Sequence, residues 1–349
     1  MRRPLIVTDK GIAAAGISGK VVAACGDTLT TALFDGVTEN PLYSDVAAGL
    51  ASYKAGGCDG VIAVGGGSVI DVAKMIALLA TNPGSVADYA GVPNVRHGPA
   101  APLVVIPTTA GTGSEASPSA GIHPDAVTAS VGMNSRHLVP KLAVLDPDLT
   151  VSLPRRLTAA TGIDALSHCI EGYLSNRDQP LGKSIALDGI RRIVRHLPRA
   201  VADGTDLEAR GEMMLAAFAG GVSIAMGLGP AHAIAITCSD QGFHHGVLSG
   251  IGLVATLDAT ADHMPTRVAA VSEAFGLPPS ESLAQGVATL MRELGLPATL
   301  AELGYAANDL HAMAAAAERS HFNLSAPFRP NALHYAAFMT RSLRLETSK

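Results

Sequence analysis

"VIAVGGGSVIDVAK", residues 61–74, reads as a strand, a tight turn and a helix in immediate succession. Its apolar opening suits a strand covered on both faces, as strands of a parallel sheet are. Gly65, Gly66, Gly67 and Ser68 then let the backbone come close to a ligand where a helix begins. The free N–H groups and partial positive charge of a helix N-terminus suit a pyrophosphate. Asp71 and Lys74 ride on the same helix. The spacing is neither GxGxxG nor a Walker loop. A plain capped turn uses glycine too, so this turn takes its meaning from its surroundings.

Outward from it, short apolar segments recur: "PLIVTD" (4–9), "VVAAC" (21–25), "TALFDG" (31–36), "PLVVIPTT" (102–109) and "LAVLDP" (142–147). All read as strands, with helical patterns at 42–55 and 69–80 between them. Such alternation predicts an α/β domain with a mostly parallel sheet. From about Leu157 onward the periodicity is helical only, in segments such as 184–196, 209–225 and 282–294, broken by Gly and Pro. The expected architecture is an N-terminal α/β dinucleotide-binding domain, residues 1–150, followed by an all-helical domain, residues 151–349.

The bulk composition narrows the function. Of 349 residues, 48% are hydrophobic and 16% charged, which allows a sizeable core. The net charge of -5, without a basic run, speaks against a nucleic-acid partner. Cys25, Cys58, Cys169 and Cys238 are scattered and form no CxxC pair, which fits a reduced, cytoplasmic setting. The apolar run of "MRRPLIVTDKG" is too short for a secretory signal. Residues 213–239 carry no Asp, Glu, Lys or Arg and are long enough to span a bilayer. Gly220, Gly221, Gly227, Gly229, Pro230 and a histidine interrupt them, and no aromatic belt or basic flank frames them. They are read as buried helix, with no membrane partner.

Three further stretches carry chemistry. Asp9 ends the first strand, where a carboxylate accepts from both hydroxyls of an adenosine ribose and repels a 2′-phosphate, which predicts NAD over NADP. "PTTAGTGSEAS" (107–117) offers the hydroxyls of Thr108, Thr109 and Thr112 in a loop suited to a cofactor's phosphate or nicotinamide end. "TGIDALSHCIEGYLS" (161–175) puts Asp164 and His168 on one face of a helix flanked by Ile163, Leu166 and Ile170. A buried carboxylate needs a partner. His232, His244 and His245 follow within residues 229–246. One aspartate with three histidines suits Fe(II) or Zn(II), one coordination position remaining for a substrate oxygen.

Taken in order, "LIVTDKG", "FDGVTENP", "GGGSVIDVAK", "PTTAGTGSE", "LDPDLT", "TGIDALSHCIEGYLS" and "HHGV" resemble the iron-containing (group III) alcohol dehydrogenase family over nearly the whole chain. The resemblance implies the dehydroquinate synthase-like fold, a dinucleotide-binding domain plus a helical metal-binding domain, with the active site between them. It places the metal ligands on Asp164, His168, His232 and His245, and the ribose contact on Asp9. Gly66, Gly67 and Ser68 match the pyrophosphate turn, Thr108, Thr109 and Thr112 the cofactor-lining loop. Asn40 belongs to the family's Asn-Pro element, and Lys141 stands where relatives place a cofactor-facing lysine.

Three features depart from the family pattern. The lead before "LIVTDKG" is shorter than usual. Ile236 stands where many relatives carry a histidine tied to proton traffic, which leaves His244 either to replace it as a catalytic residue or to exchange roles with His245. "SHFNLSAPFRP" (320–330) replaces a more usual Asn-Pro-Arg stretch bordering the active site, and His321, Asn323 and Arg329 in it are candidates to meet a substrate carboxylate. The implied reaction is hydride transfer between NAD(H) and a small alcohol or aldehyde, including a 4-hydroxy acid or its semialdehyde, by a homodimer or higher oligomer. The rivals are a dehydroquinate-synthase-like lyase and a non-catalytic nucleotide-binding paralogue.

Overall fold

The computed structural model describes residues 1–91 and 98–344. The chain divides into two compact units. One comprises Met1–Thr109 and Gly113–Val151; the other comprises Ala110–Thr112 and Ser152–Lys349.

The first unit is built on a parallel sheet. Its strands are β1 (Pro4–Val7), β2 (Ala32–Phe34), β3 (Gly60–Gly65), β4 (Leu103–Pro107) and, after a hairpin described below, a two-residue edge strand at Leu142–Ala143. The order is β2-β1-β3-β4 and then the edge strand. Helices α1 (Lys10–Ala14), α2 (Ile17–Cys25), α3 (Tyr43–Ala55) and α4 (Gly67–Leu79) connect them. β1 and β3 are buried along their whole length, which is why both read as unbroken apolar runs. The register pairs Val7 with Ala63 and Gly65 with Pro107. The C-terminal ends of β1, β3 and β4 therefore lie together, the edge at which open α/β sheets bind ligands.

Residues 21–25, expected as a strand, form the second half of helix α2. The helix buries Ile17, Ser18 and Val21, and Ile17 and Val21 pack in one cluster with Ile6, Ile62 and Val64. Val22 is exposed. That i, i+4 pattern, with two alanines following, is helical, and a five-residue window is too short to show it. The sequence pattern also misses a hairpin of β5 (Ser119–Ile122) and β6 (Val131–Asn134), because its small, glycine-bearing strands carry little apolar pattern. The edge strand Leu142–Ala143 is β7.

The second unit is helical. α5 (Arg155–Leu174) is buried on nearly every side and packs against α6 (Pro180–Ala202), α7 (Leu207–Ile224) and α9 (His245–His263); α8 (Pro230–Thr237) packs against α9. A helix this enclosed lacks a polar face, so any polar side chain on it must find a partner inside. Residues 213–239 do not form one rod: α7 ends at Ile224, Gly227 turns the chain at φ +91°, and α8 starts at Pro230. Among the described residues no helix is long and apolar enough to cross a membrane.

Candidate functional site

α5 presents Asp164 and His168 one turn apart, 3% and 5% exposed. α8 brings His232, 1% exposed, in its first turn behind Pro230, a residue suited to that place because its missing N–H would be unpaired there anyway. α9 begins at His245. One donor atom each from Asp164, His232 and His245 lies within 4.8 Å of the others. His245 Nε2 is 3.8 Å and His168 Nε2 3.9 Å from Oδ1 of Asp164. The His168 ring stacks on that of His232, centroids 4.9 Å apart and planes at 22°. Three side chains from three helices thus converge on one point, and His168 lies beside them, against Asp164 and His232.

Two glycines make this closeness sterically possible. A Cβ on Gly246 would stand 2.2 Å from the carbonyl oxygen of Ala160, and one on Gly252 would stand 2.3 Å from that of Ala231. α9 therefore lies against the backbones of both helices that carry the other three groups.

The electrostatics suit a cation. Burial raises the pKa of Asp164, but His168, His245, His232 and His244 together outweigh it and hold the carboxyl below its ordinary range. Burial pushes His168 down to about 4, against the pull of Asp164, so its ring is neutral and carries a lone pair at neutral pH. Nε2 of His232 is buried without a hydrogen-bond partner, and Nε2 is also the His168 atom that faces Asp164. Leaving such an atom as Nε2 of His232 unpaired is costly, and a divalent ion bound there removes the cost, so the donor set fits the metal that the sequence implies.

His244 is near enough to act on Asp164 electrostatically but is not in the group at ligand distance. It is the N-cap of α9, its Nδ1 accepting from the N–H of Gly246 at 3.1 Å. The geometry thus puts His245, and not His244, against Asp164.

Glu171 was not anticipated. It lies three residues beyond His168 on α5 and is 5% exposed. Its carboxylate accepts from Nδ1 of His232 at 2.6 Å and from the N–H groups of Ala231 at 2.7 Å, Gly229 at 3.0 Å and His232 at 3.3 Å. Its spacing from Asp164 and His168 was a signal, since all three share a helix face. Ser249, also unforeseen, donates to Oδ1 of Asp164 at 3.2 Å. Phe322 sets its ring edge-on to His232 with centroids 5.6 Å apart, and His321 packs on Phe322 at 4.1 Å. The 320–330 stretch therefore borders the cluster. Asn323 is not available to a substrate, because its amide is spent on the carbonyls of Ala317 and Glu318 and on the hydroxyl of Tyr335. Arg329 is exposed.

In the first unit, Asp9 follows β1, Gly65–Ser68 follow β3, and Thr108 and Thr109 follow β4, all at the same sheet edge. A Cβ on Gly65 would clash with Val69 at 2.6 Å, and one on Gly66 would sit 3.3 Å from Thr109. Gly66 is the N-cap of α4 and supplies no side-chain cap, which leaves N–H groups of the first turn open to an anion. Asp9 caps α1 by accepting from the N–H of Ile12 at 2.9 Å. Ser68 donates to the carbonyl of Glu39 at 2.6 Å, which ties the loop carrying exposed Asn40 to the turn.

Three expected cofactor residues have other surroundings than the turn at Gly65–Ser68. Asp71 turns inward and accepts from Ser114 Oγ and from the N–H of Gly121 at 2.8 Å; an i+4 step from Gly67 points it toward the hairpin. Thr112 belongs to the three-residue segment that clusters with the second unit. Lys141 is exposed, and its N–H bonds Leu103, at the start of β4, whereas Gly65 pairs with Pro107 at the end. Its backbone is thus about 13 Å farther down the sheet at the usual rise per residue.

Comparison with known proteins agrees across both units. Residues 1–147 match the family described as iron-containing alcohol dehydrogenase, and residues 158–341 match the C-terminal domain of the Fe-containing alcohol dehydrogenase family. A 4-hydroxybutyrate dehydrogenase of Cupriavidus necator is 40% identical, over 98% of this chain and 93% of its own. Alcohol dehydrogenase 4 of Saccharomyces cerevisiae is 37% identical, over 93% and 87%. Among solved structures, a 1,3-propanediol oxidoreductase superposes with a TM-score of 0.92 at 31% identity, over 98% of this chain and 92% of its own. A sulfoacetaldehyde reductase from Bifidobacterium kashiwanohense in complex with NAD+ gives 0.91 at 26%, over 100% and 92%.

Proposed function

The chain belongs to the iron-containing alcohol dehydrogenase family, and from that premise we propose that it transfers a hydride between NAD(H) and a small alcohol or aldehyde at a metal centre. The observation that carries the reading is the convergence of Asp164, His232 and His245 around an unpartnered, buried Nε2, with His168 against Asp164 and His232.

In this reading those four side chains hold the ion, Fe(II) or, less favoured by the family, Zn(II). When bound, the ion supplies Lewis acidity toward the substrate oxygen, and the nicotinamide accepts or donates the hydride. The chain's own residues do the rest. Asp164 brings one negative charge to a set of neutral imidazoles, so the centre keeps net positive charge. Ser249 fixes the rotamer of Asp164 through its hydrogen bond. The open N-terminus of α4 takes the pyrophosphate, and Asp9 takes the adenosine ribose through the oxygen its cap leaves over. Phe322 closes off the His232 side of the site against water.

The name of the Cupriavidus relative supports a 4-hydroxy acid or its semialdehyde as the substrate class, with His321 and Arg329 as the polar groups on the bordering stretch. Four free cysteines support a reduced, cytoplasmic setting, and we read the working form as a homodimer or larger. The test follows NADH absorbance with metal-stripped protein, a panel of alcohols and aldehydes including 4-hydroxybutyrate, and added Fe(II) or Zn(II). Turnover that needs added metal and prefers NAD to NADP is the expected result; silence under every combination overturns the reading.

A further inference from the structure

We infer that Glu171 is the positioning residue that selects the ring tautomer of His232 and so readies the metal site before any ion arrives. The inference rests on the metal-site reading above. It starts from what a carboxylate can do: it only accepts hydrogen bonds. Every polar group facing Glu171 must therefore donate. Three of those groups are the N–H groups of Gly229, Ala231 and His232 at the start of α8, which lacks a side-chain cap of its own. The fourth is Nδ1 of His232, at 2.6 Å.

A neutral imidazole carries one ring proton. With that proton committed to Nδ1, the lone pair falls on Nε2, the atom left buried and unpartnered. The same carboxylate fixes where the ring points, because it holds both the imidazole and the backbone from which it springs. The fit is close at residue 229: a Cβ on Gly229 would lie 2.9 Å from Oε1 of Glu171 and would displace the carboxylate. One residue thus couples the start of α8 to the donor state of a candidate ligand. Carboxylates behind ligating histidines act this way in general, and losing one costs roughly 10–100-fold in metal affinity.

Two variants separate this role from plain structural support. Glu171→Ala leaves room for water to cap α8, and water accepts or donates alike, so the tautomer of His232 is freed. Glu171→Gln keeps the shape but cannot accept at both atoms. The primary measurement is 15N NMR of the histidine rings in metal-free protein, with His232→Gln to assign the signal. The wild type is expected to show His232 protonated at Nδ1 and bare at Nε2; Glu171→Ala is expected to populate the Nε2–H form. Co(II) titration is expected to show a roughly 10–100-fold weaker affinity in Glu171→Ala and a smaller loss in Glu171→Gln, with melting curves reporting the fold.

Wild-type His232 protonated at Nε2 overturns the inference. So does an unchanged Co(II) affinity in Glu171→Gln, which decides the matter if Glu171→Ala does not fold. Wild-type protein that binds no Co(II) refutes the metal-site reading instead, while the NMR result still judges the tautomer.

Discussion

Gly246→Ala puts a methyl group where α9 touches α5, one residue from His245. The new carbon would stand 2.2 Å from the carbonyl oxygen of Ala160 and 3.0 Å from Cβ of Asp164. Neither obstacle is the end of a flexible side chain, so the helices must part. Restoring ordinary contact needs a separation of about 1 Å. Overpacking of this kind costs ~1–3 kcal/mol, and the better helix propensity of alanine returns up to ~1 kcal/mol. The net loss is small against a typical stability of ~5–15 kcal/mol, so the protein stays folded. The metal site fares worse. His245 Nε2 now lies 3.8 Å from Oδ1 of Asp164, and metal–ligand distances hold within about ±0.2 Å. A shift several times that tolerance is expected to lower kcat/KM by about 100-fold and to weaken Co(II) binding at least tenfold. The assay pairs NADH absorbance and Co(II) titration with a melting curve. Wild-type affinity and rate in a folded variant would refute the argument that close approach of α9 is what aims His245.

Glu115 is 4% exposed, and burial raises its pKa from the ordinary 4.5 to about 7, with Lys74 pulling the other way. The folded protein therefore binds more protons than the unfolded chain within that window, so stability falls as pH climbs from 4.5 through 7, by at most roughly 3 kcal/mol; urea melts should lose this slope in Glu115→Gln, and a slope that persists there refutes the assignment. Gly19 sits inside α2, and a Cβ added to it would meet nothing within 4 Å, so Gly19→Ala is expected to stabilise by ~0.5–1 kcal/mol in the same melts, and a destabilised variant would speak against helix at residues 17–25.

The i, i+4 pair on α5 and the strand–glycine–helix unit at residues 61–74 were legible because each is local: neighbours on a helix face or across a turn are set by chain geometry alone. The parallel-sheet half and the helical half followed from the same periodicities. Local pattern failed where burial overrode composition. Residues 21–25 are apolar like a strand, yet only Val21 among them is buried. Asp71 looked like part of the turn, but the hairpin at 119–134 was needed to reveal its partners Ser114 and Gly121.

By itself the sequence determined the α/β half and the helical half, their order and the residue types able to hold a cation. Which of His244 and His245 turns toward Asp164, that Glu171 lies behind His232, and that Lys141 enters at the far end of the sheet were decided only in three dimensions. Those facts join residues tens of positions apart, and no spacing along the chain encodes them. The first two follow from how closely α8 and α9 approach α5, which depends on what a glycine at 229, 246 or 252 leaves empty, and the third from strand pairing in the sheet.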